Sequence, residues 1–313
     1  MGAHSYALAN GPAIAADIAQ VMSQHGMAPL DWRDLRTDGG ISRFDCDGDR
    51  AGRKNGWAVI HADGPRPVVV FGHWSRGISQ TVVLGSTEPM SSAERERQHL
   101  AMEQAKRDRQ AMTSHRQANA RREANALWLG SMPASQHHPY VTAKKIAPDG
   151  LRITGGVLLV PMRDTDGSLW NVQRIQPNGS KRFLRGGRVT GLYACISGAV
   201  GEHLLICEGW ATGRSLHTAT GLPVAVAFSA GNLIAVAQAM RAKYPLIRIT
   251  LAADNDLRQD GTNPGVQAAT AAAAAVNGFL AVPPVAGDFN DLATAAHSST
   301  DAICEVLNRD DHE

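Results

Sequence analysis

Cysteine is scarce and scattered in this chain. Its four copies among 313 residues, Cys46, Cys195, Cys207 and Cys304, form no C-x-x-C pair, and no histidine stands at zinc-finger spacing from them. Such a set excludes a zinc ribbon and fits a reducing compartment, where thiols stay unpaired. Long apolar runs are also missing, and nothing approaches the roughly 20 residues that span a bilayer. The N-terminus lacks a basic segment followed by an apolar one, so no signal peptide is expected. The expected location is the cytoplasm, with no membrane partner. Neither charge sign dominates. With 31 Lys and Arg against 29 Asp and Glu the formal charge is +2, so any surface for a polyanion has to be local. No G-x-x-x-x-G-K-[ST] phosphate loop occurs either. What is present is 43% hydrophobic residues, enough to bury a core in two domains or in one domain with appendages.

Residues 11–26 (GPAIAADIAQVMSQHG) predict a short amphipathic helix. From 40 to 85 the texture turns to short β-type runs (RFDCDG, NGWAVIHADG, RPVVVFGHWSRG, QTVVLGS), with Asn55-Gly56 and Asp63-Gly64 as hairpin-turn dipeptides. Residues 1–90 thus predict a small α+β module on an antiparallel sheet. Its Trp57, Phe71 and Trp74, with Arg76, either stack on single-stranded bases or form the core of that sheet, and the core is the favoured reading. No Gly or Pro interrupts Ser91 to Leu129, where Ser91 or Ser92 can cap a helix with Glu94 and Glu96 in its first turn. Its apolar positions are sparse and follow no heptad, which predicts a charged linker helix over 91–130 that connects rather than packs. Residues 131–200 are β-rich, with strands around turns at Asp166-Gly167 and Asn178-Gly179. From 201 to 313, almost wholly apolar strands (HLLIC, PVAVAF, LIRITLAA, FLAV) alternate with helical segments, the last from about Asp291 to Asn308. That alternation predicts a parallel sheet with helices on both faces.

Acidic residues recur where those strands end: Glu208 in LLICEGWATG, Asp254 and Asp256 in LAADND, Asp288 and Asp291 in AGDFNDL. Carboxylates at the carboxyl ends of parallel strands converge on one crevice. Like charges there repel unless a cation neutralises them or one stays protonated. Oxygen-only donors favour Mg²⁺ or Mn²⁺ over zinc. Taken singly, each acid is as well read as a turn residue or a helix cap. Two details favour a site. The acids of LAADND are one residue apart, so an extended backbone points both to one side. Glu208 is followed at once by Gly209, which lets backbone or ligand approach closely. Of the last pair, Asp288 is favoured for metal and Asp291 as the cap of the final helix.

Glu208-Gly209 after the first strand of this unit and Asp254-Asn255-Asp256 after the third resemble the TOPRIM domain, shared by bacterial primases, topoisomerases and some nucleases. The resemblance covers about residues 200–310 and implies the fold just described. More narrowly, CEGWATGRSL, VAFSAGNL, AADND and DFNDL, in that order, look like the TOPRIM domains of plasmid and phage primases. The stretch PMRDTDGSLWNVQRIQPNGSKRFLRGG resembles the region that precedes TOPRIM in them. The resemblance implies a DNA primase that joins nucleoside triphosphates into short primers on a single-stranded DNA template. Glu208, Asp254 and Asp256 would be catalytic and would hold Mg²⁺ or Mn²⁺ together with Asp288. Lys181, Arg182, Arg185 and Arg188 would contact phosphates, since KRFLRGGR carries four cations and no acid. Gly209 and Asn255 would touch nucleotide, with Asp291 and Ser229 as further positions near the same strand ends. Because the chain ends just after this unit, a separate helicase is the expected partner for opening DNA. Two other functions stay open: a metal-dependent nuclease, and a catalytically silent DNA-binding accessory protein. A topoisomerase is disfavoured, because Tyr6, Tyr140, Tyr193 and Tyr244 lie in no recognisable DNA-gate domain.

Overall fold

The computed structural model describes residues 11–49, 52–62, 66–76, 78–84, 91–196, 200–258, 261–295 and 300–308. The chain divides into two compact units, Met1–Met112 and Thr113–Glu313. In the first, helix α1 (Gly11–Gln24) precedes a meander of four antiparallel strands, β1 (Asp38–Phe44), β2 (Gly56–His61), β3 (Val68–His73) and β4 (Ile78–Val83), paired in that order. Strand β2 alternates buried and half-buried residues, as a sheet with one covered face requires. Phe44, Ile60, Val69 and Phe71 pack in one core with Ile14, Ile18 and Met22 of α1.

Phe71 is therefore a core residue, while Trp74 is 54% exposed and its ring lies 5.6 Å from that of Trp57. Asn55-Gly56 makes no tight hairpin turn, because Gly56 already pairs with Phe44 and the connection runs from 45 to 55. Asp63-Gly64 lies outside the described residues.

Helix α2 (Ser92–Leu129) begins in the first unit and ends in the second. Its C-terminal part is no solvated linker: Ala120 and Ala124 are buried, and Ala124 packs in one cluster with Leu159, Leu169, Val172 and Leu184. Alanines present no apolar stripe in sequence, so this contact face is invisible there. In the second unit, β5 (Met132–Pro133), β6 (Arg152–Thr154), β7 (Val157–Arg163), β8 (Leu169–Ile175) and β9 (Lys181–Phe183) form an antiparallel sheet in that order, with helix α3 (Pro139–Lys144) between β5 and β6. Gly167 and Gly179 both take positive φ (82° and 83°), as the Asp-Gly and Asn-Gly turns demand.

The last sheet contains β10 (Ala194–Ile196), β11 (His203–Cys207), β12 (Val224–Val226), β13 (Arg248–Ala252) and β14 (Phe279–Ala281), in the order β10-β12-β11-β13-β14. β11, β12, β13 and β14 are mutually parallel, whereas β10 runs antiparallel to β12, so the sheet is mixed. Helices α4 (Trp210–Thr220), α7 (Phe289–Thr294) and α8 (Thr300–Asn308) cover one face. α5 (Leu233–Lys243) and α6 (Pro264–Ala275) cover the other. The alternation of β11 shows this directly: Leu205 and Cys207 face the first core, Leu204 and Ile206 the second. Leu158, Val160 and Ile175 of the preceding sheet join the α4 core, which seats β7 to β9 beside the strand ends. The expected single final helix is two helices, α7 ending where Ala295 turns extended. Among the described residues, no helix is long and apolar enough to cross a membrane.

Candidate active site

Parallel register sets the site. Cys207 pairs with Ala252 and Ala252 with Ala281, so the strand ends are level. Glu208 follows β11 directly and Asp254 stands two residues beyond β13, on the same rim. Glu208 borders an open cleft of about 480 Å³ that Ala230, Asn255, Asp256, Gly265 and Gly287 also line. Asp254 Oδ1 is buried and accepts no hydrogen bond. Burial, then the charges of Glu208, Asp288 and Asp256, push the Asp254 carboxyl up to about 7, with Lys181 opposing. Burial also raises Glu208, Asp256 adding to it while Lys181 and the Ala230 N–H oppose. Among the described residues, no three of these carboxylates bring oxygens within 4.8 Å of one another.

A buried carboxylate oxygen without a hydrogen bond amid like charges is short of counter-charge, since three acids outweigh the one opposing lysine. A hard divalent cation satisfies both needs with oxygen ligands alone. Glu208, Asp254, Asp256 and Asp288 therefore fit Mg²⁺ or Mn²⁺.

Several local features hold the rim in shape. A Cβ on Gly265 would lie 2.4 Å from the Asp254 backbone oxygen, so only glycine lets the start of α6 abut this turn. Asn255 exchanges backbone hydrogen bonds with Gly287 (2.9 and 3.0 Å). Its side-chain amide donates to the Pro283 and Val285 carbonyls, and its Oδ1 accepts from Asn263. These bonds clamp the loop before α7 to the end of β13, which is a positioning role. Gly209 is the N-cap of α4, and Ser229 precedes the single 3₁₀ turn Ala230–Asn232 without a side-chain cap bond.

The two last acids share a capping box. Asp288, not Asp291, is the N-cap of α7: its Oδ1 accepts from the Asn290 and Asp291 N–H groups, while Asp291 Oδ2 accepts from the Asp288 N–H. D-x-x-D before an apolar residue is the pattern for this reciprocal cap. Asp288 still acts electrostatically on Asp254, whereas Asp291 is within 3.4 Å of Lys144.

The four cations of the basic turn do not act together. Lys181 is the one of the four whose charge opposes the raised values of both Glu208 and Asp254. Arg182 is the next residue along β9 and so points to the other sheet face. Arg185 is exposed. Arg188 lies over the Trp170 ring at 5.3 Å, a ring that Arg121 also covers at 4.4 Å.

Sequence reasoning missed two residues here. Tyr140 of α3 buries its hydroxyl without a hydrogen bond, and burial, then the Asp288 charge, pushes it up to about 12. Lys181 Nζ lies 5.9 Å from its ring centre. Phe228 has φ 71°, a backbone state that costs a bulky residue about 1–3 kcal/mol. Its N–H donates to the Glu208 carbonyl, and its ring meets Phe183 edge-on at 6.2 Å, pinning β9 beside the crevice. A positive-φ phenylalanine leaves no signal in sequence, and Tyr140 sits in a segment that reads as irregular.

Residues 203–298 match the family described as Toprim domain. Two proteins of Escherichia coli, each named DNA primase TraC, are 31% identical to this chain over 266 and 261 residues, 79% of the chain in both cases. The chain spans only 24% and 18% of their lengths. Among solved structures, the DnaG primase catalytic domain bound to ssDNA is 11% identical, with a TM-score of 0.44 over 63% of this chain and 80% of that one. The Aquifex aeolicus primase (zinc binding and RNA polymerase domains) is 10% identical, with a TM-score of 0.40 over 96% and 86%. Residues 203–298 are thus similar to the Toprim domain, within a longer stretch similar in sequence to the TraC DNA primases.

Proposed function

We propose that this protein is a DNA primase of the plasmid or phage type, making short primers on single-stranded DNA by Mg²⁺-dependent nucleotidyl transfer. The observation that carries the reading is this crevice: Asp254 is half-buried with its Oδ1 buried and without a hydrogen bond, and it feels the charges of Glu208, Asp288 and Asp256, which the Lys181 charge opposes. The 31% identity to the TraC DNA primases supports the same reading.

In primer synthesis a 3′-hydroxyl attacks the α-phosphate of a nucleoside triphosphate, and pyrophosphate leaves. A bound divalent cation supplies charge to the phosphates and acidity to the attacking hydroxyl. Glu208, Asp254, Asp256 and Asp288 are the residues that would hold it, Asp254 giving up its proton in doing so. Glu208, whose carboxyl is raised by burial, is suited to take the hydroxyl proton. Lys181 places a cation beside the acids, where it steadies a triphosphate or template phosphate. Tyr140 and the Phe183–Phe228 pair fix the wall from which Lys181 projects. Arg182, Arg185 and Arg188 offer the template backbone contacts without reading its sequence. A separate helicase would supply the unpaired template.

The test is to incubate the protein with single-stranded DNA, Mg²⁺ and labelled ribonucleotides. Short labelled oligomers are expected. Cleaved template without oligomers would establish a nuclease, and a gel shift with neither product a binding module; either result would overturn the proposal.

A further inference from the structure

A buried polar atom without a hydrogen bond costs stability, so its retention calls for a reason. Arginine nitrogens aside, four side-chain atoms are in this state among the described residues: the Tyr140 hydroxyl, Trp210 Nε1, Asp254 Oδ1 and Asn290 Oδ1. All four belong with the acids. Asp254 is one of them, Trp210 stands two residues after Glu208, and Asn290 two after Asp288. Tyr140 is remote from them in sequence, yet it feels the charge of Asp288. Phenylalanine would fill the same core space, so packing gives the Tyr140 hydroxyl no role.

Helix α3 is fixed at both ends. Its N-cap His138 accepts the Tyr140 N–H on Nδ1 at 3.2 Å, which leaves Nε2 to donate to the Gly156 carbonyl at 3.1 Å. Lys144 lies one turn beyond Tyr140 on the same face. Its carbonyl accepts from Asn290 Nδ2 at 2.8 Å, and its ammonium is 3.4 Å from Asp291 Oδ1. These contacts join α3 to the start of α7, where Asp288 is the N-cap. Asp288 Oδ1 accepts from the Asn290 and Asp291 N–H groups at 2.7 and 2.9 Å, while its Oδ2 accepts from no described residue. Tyr140 is 4% exposed, so its hydroxyl has no bulk water to turn to. An idle donor and an idle acceptor thus stand on two helices that are tied together.

We infer that Tyr140 is a positioning residue of the acidic crevice, its hydroxyl donating to Asp288 Oδ2 in the cation-bound protein. The role rests on the proposed reading of Glu208, Asp254, Asp256 and Asp288 as the holders of that cation. A carboxylate oxygen has two lone pairs, so Oδ2 takes the hydroxyl proton on one and keeps the other for the metal. Partners of this kind orient ligating carboxylates. Burial keeps the hydroxyl protonated, so it supplies a hydrogen bond without altering the charge of the crevice. In the metal-free protein the hydroxyl is only a cost. Removing it therefore acts with opposite sign on stability and on metal binding, which a purely structural tyrosine would not show.

Tyr140→Phe deletes the hydroxyl and nothing else. In the full chain stripped of metal it should raise Tm by about 2–4 °C, the shift expected for relief of one unsatisfied donor. Mn²⁺ is then titrated in, and free Mn²⁺ is read by electron spin resonance. Half-saturation should need about 10-fold more Mn²⁺ in Tyr140→Phe than in wild type, the scale on which outer partners of metal ligands act. In an Asp288→Asn background the same substitution should change Mn²⁺ binding no further, because the hydroxyl acts through Asp288. A metal-free variant that melts at or below wild type, equal half-saturation in the two proteins, or full additivity with Asp288→Asn would each overturn the role alone. A wild-type chain that binds no Mn²⁺ would overturn the reading of the crevice as a metal site, and the role with it.

Discussion

In the C-terminal unit the charges of Glu208, Asp288 and Asp256 act on Asp254, while in the N-terminal unit a thiol, a carboxylate and an imidazole come within 4.8 Å of one another. The acids repel, and burial together with the neighbouring charges pushes the Asp254 carboxyl up to about 7. The mixed cluster attracts, Asp49 and His73 being joined at 2.8 Å without any ion. One arrangement is crowded with like charge; the other is closed by a short imidazole–carboxylate contact. Chemistry on phosphates is what we propose for the first.

The largest effect should come from the crevice. Glu208→Gln or Asp254→Asn should lower primer synthesis about 100-fold or more, the scale of removing a group that acts on transition-state charge. Product gels on single-stranded template check this, and wild-type rates in either variant would place the chemistry elsewhere. Lys181→Met removes the basic-turn cation whose charge opposes the raised Glu208 and Asp254 carboxyls. It should cost about 10- to 100-fold in kcat/KM, a charge-assisted contact being worth ~1.5–3 kcal/mol, whereas Arg188→Met, whose guanidinium lies on Trp170, should cost much less. Equal losses would mean that the basic turn acts as a unit. Asn255→Ala, by releasing the clamp on the loop before α7, should weaken Mg²⁺ binding about 10-fold, since outer-shell partners act on that scale.

Much of the C-terminal unit was legible because its buried parallel strands are nearly all apolar and alternate with helices, so Glu208 and Asp254 could be put at strand ends. β10 was not, since three residues with an exposed Cys195 carry no period, and its antiparallel pairing is a tertiary matter. DFNDL held a capping box, but which acid came first in it depended on where the helix began. Lys181 and Arg182 look alike in sequence; strand alternation sends one to the acids and the other away. Cysteine counting excluded a ribbon and passed over Cys46, because Asp49 and His73 join it through a turn and a strand pairing rather than a spacing motif.

The central claim is that the crevice is charge-crowded and awaits a divalent cation. Asp254 has an ordinary value of 3.8 and a folded value of about 7. Below the lower value folded and unfolded chains are both protonated. As pH rises between the two, the unfolded chain gives up a proton that the folded one keeps, and stability falls until it levels above the higher value. The decisive measurement is thermal unfolding of wild type and Asp254→Asn from pH 4 to 8, with and without Mg²⁺. Without the metal, wild type should lose stability relative to Asp254→Asn as pH rises, and Mg²⁺ at pH 8 should restore wild type far more than the variant. Parallel pH curves and equal Mg²⁺ responses would contradict the account.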